Sequence, residues 1–229
     1  MKTALIVAPH PDDAELAMGG AIAGMIITGF NVVIVDLTDG EPTPFGSKQI
    51  RAKETQKASD ILGIKKRICL DMSNRNLQPT LQNRRKLAAV IRLHKPDILF
   101  APAMPDRHPD HKAALELTEA ARFEAKYHKT DLPGDPHWTP KLWQYYSPHR
   151  QDFARPSVIM DISGVWEMKL AAIKAYQSQL KNNDCTSTCS ILERIEINAK
   201  YFGQCINAVY GEPFIASEPL SITSFCNIA

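Results

Sequence analysis

Continuously apolar runs alternate with helical patterns along the first half of the chain. Four short runs rich in branched residues predict buried strands, and they span residues 4–8, 31–37, 67–71 and 97–101. Apolar positions at helical spacing predict helices over residues 16–28, 49–62, 81–94 and 110–125. Repeated strand–helix units whose strands are apolar on both faces are typical of a parallel sheet covered by helices on both sides.

The second half of the chain is expected to extend the same sheet. Residues 127–140 predict an irregular loop, and the elements predicted after it are strands over 142–146 and 157–161, helices over 165–180 and 190–209, and a closing edge strand over 219–223. A length of 229 residues is compatible with one α/β domain. We therefore expect a single domain over residues 1–229, in which residues 1–125 form a Rossmann-like core and residues 126–229 complete the pocket.

Strand order predicts where two polar clusters lie. Right-handed crossovers favour a doubly wound, Rossmann-like, mostly parallel sheet in the order 3-2-1-4-5, in which strands 1 and 4 are neighbours. Ligands in such sheets bind beyond the carboxyl ends of the strands, where the order reverses. The segment His10-Pro11-Asp12-Asp13 follows strand 1, and the segment Asp106-Arg107-His108-Pro109-Asp110-His111 follows strand 4. Although these clusters are far apart in the sequence, we expect them to face each other.

Composition and charge exclude several classes of protein. A net charge of +2 gives no broad basic surface, so we do not predict nucleic-acid binding. The apolar run over residues 21–27 is too short to cross a membrane, and the N-terminus lacks a secretory pattern. Five cysteines are expected to be reduced thiols of a cytoplasmic protein. Cys185 and Cys189 lack the second close pair of a four-cysteine zinc site, and Gly19-Gly20 is too short for a dinucleotide fingerprint.

The two clusters contain the side chains that a catalytic metal requires. His10, Asp13 and one histidine of the second cluster would supply three protein ligands, the usual number in catalytic zinc sites. We expect that histidine to be His111, at the start of a helix. Zn²⁺ is the predicted metal. Fe²⁺ is the alternative, because two histidines and one carboxylate also bind the metal of non-haem iron oxygenases.

The remaining polar residues of the clusters have predicted roles in hydrolysis. Asp12 would act as general base on a water activated by the metal and then protonate a leaving amine. His108 would face the substrate and stabilise an oxyanion as imidazolium. Asp110 and Asp106, with Glu15 behind them, are candidates for orienting the ligands. Either motif alone would also fit an ordinary helix-start turn.

The motifs resemble a known family. The segments Pro9-His10-Pro11-Asp12-Asp13-Ala14-Glu15 and His108-Pro109-Asp110-His111 are similar to the zinc-dependent N-acetylglucosaminyl deacetylases of the PIG-L/LmbE type. Nearly the whole chain is covered, because further segments resemble the bacillithiol-pathway branch, which removes acetate from N-acetylglucosaminyl-malate. These segments are residues 36–41, Arg51-x-x-Glu54, Ala101-Pro102 and residues 175–179, 201–203 and 211–214.

The resemblance implies roles for individual residues. His10, Asp13 and His111 match zinc ligands, Asp12 matches the general base and acid, and His108 matches the electrostatic stabiliser, in agreement with the roles derived above. Arg51 and Arg107 match positions expected to contact the sugar or its carboxylates. Two arginines would suit a dicarboxylate such as malate, since a guanidinium binds a carboxylate bidentately. The resemblance also implies a homo-oligomer, either a trimer or a hexamer.

One departure from the family concerns a tyrosine. Relatives can carry a tyrosine before the last long helix that polarises the acetyl carbonyl, and this chain has Ile191 near that position. Tyr176, Tyr127 or His108 alone could take over this task.

The sequence therefore predicts a metal-dependent deacetylase acting on a GlcNAc-type glycoside, with N-acetylglucosaminyl-malate as the first candidate substrate. The alternatives are the same chemistry on another GlcNAc conjugate, a chito-oligosaccharide or a glycan intermediate; a non-haem iron enzyme; and a non-catalytic sugar- or metal-binding protein.

Overall fold

The computed structural model describes residues 1–148, 155–181 and 189–221. Within these residues, seven strands form one sheet in the order β3-β2-β1-β4-β5-β7-β6. The strands are β1 (Thr3–Ala8), β2 (Asn31–Thr38), β3 (Lys66–Met72), β4 (Ile98–Pro102), β5 (Lys141–Tyr145), β6 (Val158–Asp161) and β7 (Gly211–Ala216). Strands β1 to β5 are parallel, and β7 runs antiparallel to both β5 and β6. The predicted α/β class and the order 3-2-1-4-5 are confirmed.

Helices cover both faces of this sheet. They are α1 (Asp13–Ile27), α2 (Lys48–Leu62), α3 (Leu81–His94), α4 (Pro109–Ala125), α5 (Trp166–Lys174), α6 (Gln177–Leu180) and α7 (Ile191–Gln204). Because successive side chains of a strand point to opposite faces, β1 contributes to two separate cores. Ile6 packs in a core with α1, whereas Leu5 and Val7 pack in a core with α3 and α4. No helix in the described part of the chain is long and apolar enough to span a membrane.

The predicted helix over residues 165–180 is divided in the structure. A short 3-10 helix (Ser163–Val165) precedes α5, and the chain leaves helical geometry at Tyr176, where ψ is 60°. The Tyr176 side chain is buried and its hydroxyl donates to Glu15. The break therefore places a tyrosine hydroxyl in the interior, a tertiary contact that apolar spacing does not reveal.

The predicted edge strand over residues 219–223 is wrong. Residues 219–221 are not in a strand, and residues 222–223 lie outside the described part of the chain. The last strand is β7, which contains a proline and a buried glutamate and so lacks a strand-like apolar pattern. The Glu212 carboxylate accepts hydrogen bonds from the backbone N–H groups of Gly20 and Ala21 and pairs with Lys169. These amides follow a kink at Met18 in α1, so Glu212 satisfies donors that the kink exposes.

Candidate active site

The loops that follow β1 and β4 meet at the carboxyl edge of the sheet. Strands β1 and β4 are parallel neighbours, with Ile6 opposite Phe100, so both chains leave the sheet at the same edge. The ring centroids of His10 and His108 lie 4.8 Å apart, and those of His108 and His111 lie 4.9 Å apart. The structure therefore brings together the two polar clusters identified in the sequence.

His10, Asp13 and His111 form a candidate metal site. Asp13 Oδ2 lies 3.0 Å from His10 Nδ1 and 3.3 Å from His111 Nε2. One ligand atom from each of the three residues lies within 4.8 Å of the others. A tetrahedral ion at zinc–ligand distances of about 2.0–2.1 Å would separate its ligands by roughly 3.3 Å. The donor types and the spacing therefore fit zinc.

The other ring nitrogen of each histidine faces a second carboxylate. His10 Nε2 lies 3.1 Å from Asp110 Oδ2, and His111 Nδ1 lies 2.9 Å from Asp106 Oδ2. Asp110 is held in turn by the backbone N–H groups of Arg75 and Leu77, at 2.8 and 3.1 Å. Carboxylates in this position fix the orientation of ligating imidazoles and increase their basicity.

A second group of potential ligands, His10, His108 and Asp110, also occurs among the described residues. This group suits a metal less well, because the backbone holds both carboxylate oxygens of Asp110. Both oxygens of Asp110 accept backbone hydrogen bonds, and His108 Nδ1 accepts a hydrogen bond from the Asp110 backbone N–H at 3.2 Å. The site around Asp13 is the better candidate.

The carboxylates create a negative potential at the candidate metal site. Burial opposes protonation of His10, but hydrogen bonds to Asp110 and Asp13 outweigh it and raise the His10 pKa to about 9. Burial likewise opposes protonation of His111, but Asp13 and Asp106 raise its pKa to about 10. A potential that favours a positive charge on either ring also favours a divalent cation between them.

His108 has the opposite electrostatic character. Burial and the neighbouring rings of His111 and His10 lower its pKa to about 4. Because Nδ1 accepts from the Asp110 backbone N–H, the proton of the neutral ring is on Nε2. The metal-free geometry therefore favours a neutral His108 ring, whereas the sequence led us to expect an imidazolium. As a neutral imidazole it can donate through Nε2–H.

Asp12 occupies a strained turn directly before α1. Its φ is 118°, a value that residues other than glycine rarely adopt. Burial raises the pKa of the Asp12 carboxyl to about 7, although the guanidinium of Arg51 opposes this shift. A pKa near neutrality suits a general base, because a large fraction is ionised at neutral pH while the proton affinity stays high.

Arg51, which the family resemblance assigns to substrate, contacts this carboxylate in the structure. Arg51 is buried on α2, and its Nη1 donates to Asp12 Oδ2 at 2.9 Å and to the carbonyl oxygen of Pro11 at 2.6 Å. Its Nε lies 3.5 Å from Glu41 Oε1. Arg107, the other arginine expected at the substrate, is exposed in the loop between Asp106 and His108.

Comparison with known proteins identifies the family. The profile of the PIG-L family, described as GlcNAc-PI de-N-acetylase, matches residues 5–122. This chain belongs to the PIG-L family. The match covers β1 to α4, the part of the chain that contains both loops of the site.

Curated relatives of this PIG-L chain have different activities. Diacetylchitobiose deacetylase of Thermococcus kodakarensis is 31% identical, over 100% of this chain and 88% of the relative. A 4-oxalmesaconate hydratase of Pseudomonas putida is 28% identical, and the match covers 78% of this chain and 74% of the relative. A probable N-acetyl-alpha-D-glucosaminyl L-malate deacetylase 2 of Bacillus anthracis is 27% identical, and the match covers 76% of this chain and 80% of the relative. These relatives do not confirm the bacillithiol branch.

A solved structure supports the architecture throughout. The conserved protein TT1542 from Thermus thermophilus has 35% sequence identity and a TM-score of 0.88, covering 97% of this chain and 98% of that chain. The similarity therefore extends past the matched family region to β6, β7 and the last helices.

Glu15 lies further from the metal site than its place in the first motif suggests. It is fully buried and accepts hydrogen bonds from Arg67 Nη1 at 2.5 Å and from the Tyr176 hydroxyl at 2.9 Å. Arg67 also pairs with Asp36 at the end of β2. Glu15 thus belongs to an ion-pair cluster beneath the site rather than contacting a histidine ligand.

Neither alternative tyrosine presents its hydroxyl to the histidine cluster. Ile191 packs with the apolar cluster that contains Ile162 and Trp166, and the hydroxyl of Tyr176 donates to Glu15. Tyr127 follows the end of α4 that is remote from His108. Of the three substitutes considered for the family tyrosine, His108 is the one placed at the site. Cys185 lies outside the described residues, so the pairing of Cys185 with Cys189 stays untested.

Two contributions were missed in the sequence. Glu41 is buried beside Arg51, and the loop after β3 supplies the Arg75 and Leu77 backbone N–H groups to Asp110. The polar turn Asp39-Gly40-Glu41 follows β2 and so lies at the carboxyl edge of the sheet. This position in the sequence could have identified Glu41 as a residue near the site. The backbone donors have no side-chain signature.

Proposed function

We propose that this chain is a zinc-dependent deacetylase that hydrolyses the N-acetyl group of a GlcNAc-type glycoside. One observation carries the proposal. A triad of the half-buried His10 and the buried Asp13 and His111 is flanked by the carboxylate of Asp12 and the imidazole of His108. This arrangement provides metal ligands, a base and a hydrogen-bond donor at one point. Membership of the PIG-L family and similarity to a diacetylchitobiose deacetylase support the same reaction.

Each residue of the site has a distinct task in this reaction. When bound, zinc would make water more acidic and polarise the acetyl carbonyl. Asp12 accepts a proton from the water whose oxygen attacks the carbonyl carbon. His108 donates a hydrogen bond from Nε2–H to the oxyanion that develops. Asp12 then delivers the proton to the amide nitrogen, the C–N bond breaks, and acetate and the free amine leave.

We propose two substrates for direct comparison, diacetylchitobiose and N-acetylglucosaminyl-malate. The deacetylase that acts on the first compound is similar over the whole of this chain, whereas the probable malate deacetylase is similar over 76% of it. The malate glycoside was also favoured because Arg51 and Arg107 were expected to bind the two carboxylates of malate. Arg51 is already engaged with Asp12 and Glu41, so this physical argument is weaker. A chito-oligosaccharide is at least as well supported.

An assay of the purified, zinc-loaded protein tests this proposal. Diacetylchitobiose, N-acetylglucosaminyl-malate and plain GlcNAc are incubated separately, and the released amine and acetate are quantified. We expect equal amounts of amine and acetate from at least one glycoside, with N-acetylglucosamine itself a poorer substrate. Release of neither product from any of the three compounds would contradict the proposal.

Hydration of a carbon–carbon double bond is a second candidate, favoured by the similarity to 4-oxalmesaconate hydratase. A base beside a candidate metal site could also activate water for addition. Loss of the ultraviolet absorbance of 4-oxalmesaconate, without amine release from the glycosides, would favour this function. Oxygen-dependent turnover of an iron-loaded sample would favour an iron enzyme, and metal binding without turnover would favour a binding protein. Assembly into a trimer or hexamer stays a prediction from resemblance.

A further inference from the structure

We infer that Phe45 forms an aromatic subsite for a second sugar ring, beside the site that would hold the N-acetyl group. The inference rests on the proposed function and narrows it, because it selects a neutral chito-oligosaccharide rather than an anionic conjugate as the class of substrate. Phe45 lies in the loop of residues 39–47 that joins β2 to α2, which we call the β2–α2 loop.

Phe45 is an aromatic side chain exposed at the carboxyl edge of the sheet, where the site lies. Its exposed fraction is 54%. The other exposed aromatic side chains of the described residues lie elsewhere, namely Phe123 and Tyr127 at the remote end of α4, Trp138 before β5 and Tyr201 on α7. A single exposed ring is ordinary on a protein surface, so what matters is where the loop holds it.

On one side, hydrogen bonds tie the β2–α2 loop to the candidate base. Glu41 Oε1 lies 3.5 Å from Arg51 Nε, and Arg51 Nη1 donates to Asp12 Oδ2 at 2.9 Å. Gly46 lies against the same glutamate, because a Cβ built on Gly46 would be 2.4 Å from Glu41 Oε1. Phe45, the neighbour of Gly46, is therefore held one residue away from a group that packs on Glu41.

On the other side, hydrogen bonds tie the β2–α2 loop to the candidate metal site. Arg75 Nη2 donates to the carbonyl oxygen of Pro42 at 2.5 Å. The Arg75 backbone N–H donates to Asp110 Oδ2 at 2.8 Å, and the same oxygen lies 3.1 Å from His10 Nε2. The loop that carries Phe45 therefore borders the site through both the base and a candidate metal ligand.

The turn around Phe45 is fixed at both of its ends. Before it, the Thr43 backbone N–H and hydroxyl both donate to the Glu41 carboxylate at 2.8 Å. After it, Ser47 Oγ accepts from the Ile50 backbone N–H at 3.2 Å and caps α2. A loop ordered before a ligand arrives loses less conformational entropy on binding, so these contacts preorganise the position of the ring.

The surroundings of Phe45 suit a neutral sugar ring better than a dicarboxylate. Residues 42–47, Pro-Thr-Pro-Phe-Gly-Ser, contain no charged side chain. The basic side chains beside them have partners, because Lys48 Nζ lies 2.6 Å from Asp39 Oδ2 and Arg75 donates to the Pro42 carbonyl. The C–H groups on the face of a pyranose ring pack on the negative face of an aromatic ring, whereas the carboxylates of malate need a cation.

Substitution of Phe45 should separate the candidate substrates. In Phe45→Ala we expect KM for diacetylchitobiose to rise about 5- to 10-fold, which corresponds to the loss of roughly 40–60 Å² of apolar contact. The change in kcat should be less than about twofold, because the second ring contributes binding that is equal in the ground state and the transition state. KM for plain GlcNAc and for N-acetylglucosaminyl-malate should be unchanged, since neither compound contains a second sugar ring.

Two further variants distinguish a sugar contact from a change in the shape of the loop. Phe45→Trp keeps an aromatic face and should retain the wild-type KM for diacetylchitobiose. Phe123→Ala is the matched control, because Phe123 is 48% exposed at the remote end of α4, and its KM values should equal those of the wild type. Equal increases in KM for all three compounds in Phe45→Ala, or an unchanged KM for diacetylchitobiose, would overturn the subsite.

Titration calorimetry provides a readout without turnover. Zinc-loaded Asp12→Ala protein should bind diacetylchitobiose without hydrolysing it, and adding Phe45→Ala should raise the Kd by about the same factor as KM. An unchanged Kd, or no binding of diacetylchitobiose to the Asp12→Ala protein, would overturn the subsite. If Phe45→Ala raises the Kd but the wild type releases no amine from any glycoside, the proposed deacetylation fails while the subsite stands, so the two failures are distinguishable.

Discussion

His10 Nε2 lies 3.1 Å from Asp110 Oδ2, and this contact joins the loop after β1 to the start of α4. The same imidazole presents Nδ1 to Asp13 at 3.0 Å. A ring held between two carboxylates cannot rotate without losing both contacts, so the position of one candidate ligand depends on a residue of the second motif. The two motifs therefore form one site.

Asp110→Asn should weaken metal binding without unfolding the chain. An amide has one acceptor oxygen, so it keeps only one of the hydrogen bonds from the Arg75 and Leu77 backbone N–H groups, and it holds the His10 ring less strongly than a carboxylate. Loss of such an orienting carboxylate typically costs about 10- to 100-fold in metal affinity. Competition with a chelator measures the zinc dissociation constant. Asp97→Asn, an exposed carboxylate before β4, is the control and should retain the wild-type affinity.

Asp12→Ala should bind zinc normally and lose nearly all turnover. Asp12 is not one of the candidate ligands, and positioned general acid–base groups contribute about 10²- to 10⁴-fold to rate. Elemental analysis gives the zinc content and a product assay gives kcat. A variant with full zinc content and a wild-type kcat would show that another group is the base.

The rate should depend on pH through Asp12. Its pKa is raised to about 7, mainly by burial, and a base works only when ionised. We therefore expect kcat/KM to fall about tenfold per pH unit well below pH 7. Arg51→Ala removes the cation that opposes this shift, so the acidic limb should move to higher pH. An acidic limb at an unchanged pH in Arg51→Ala would argue that another group titrates.

Glu212→Ala should destabilise the fold more than Lys169→Met. The first change leaves the Lys169 ammonium buried without its carboxylate and removes the acceptor for the Gly20 and Ala21 N–H groups. Breaking a buried ion pair in this way costs about 3–5 kcal/mol. The second change leaves Glu212 with both N–H donors, so the free energy of unfolding in urea should fall less. Equal losses would argue that the kink in α1 does not need this acceptor.

The sequence predicted the parts of this molecule that follow local rules. Apolar runs and right-handed crossovers place β1 beside β4, and this brings His10 and His111 to one edge of the sheet. The features that were missed depend on partners remote in sequence. Glu212 looks out of place in a strand until the kink in α1 is known, and the charge state of His108 depends on two neighbouring rings. The contact of Arg51 with Asp12 likewise depends on where α2 packs against the turn at Asp12.

Anomalous diffraction from crystals of the zinc-loaded protein shows which side chains hold the metal. We predict one strong zinc peak at about 2.0–2.2 Å from a ring nitrogen of His10, a carboxylate oxygen of Asp13 and a ring nitrogen of His111. The Asp12 carboxylate should lie outside this coordination shell. A peak bound instead by His10, His108 and Asp110, or no peak at these loops in fully zinc-loaded crystals, would refute the proposed metal site.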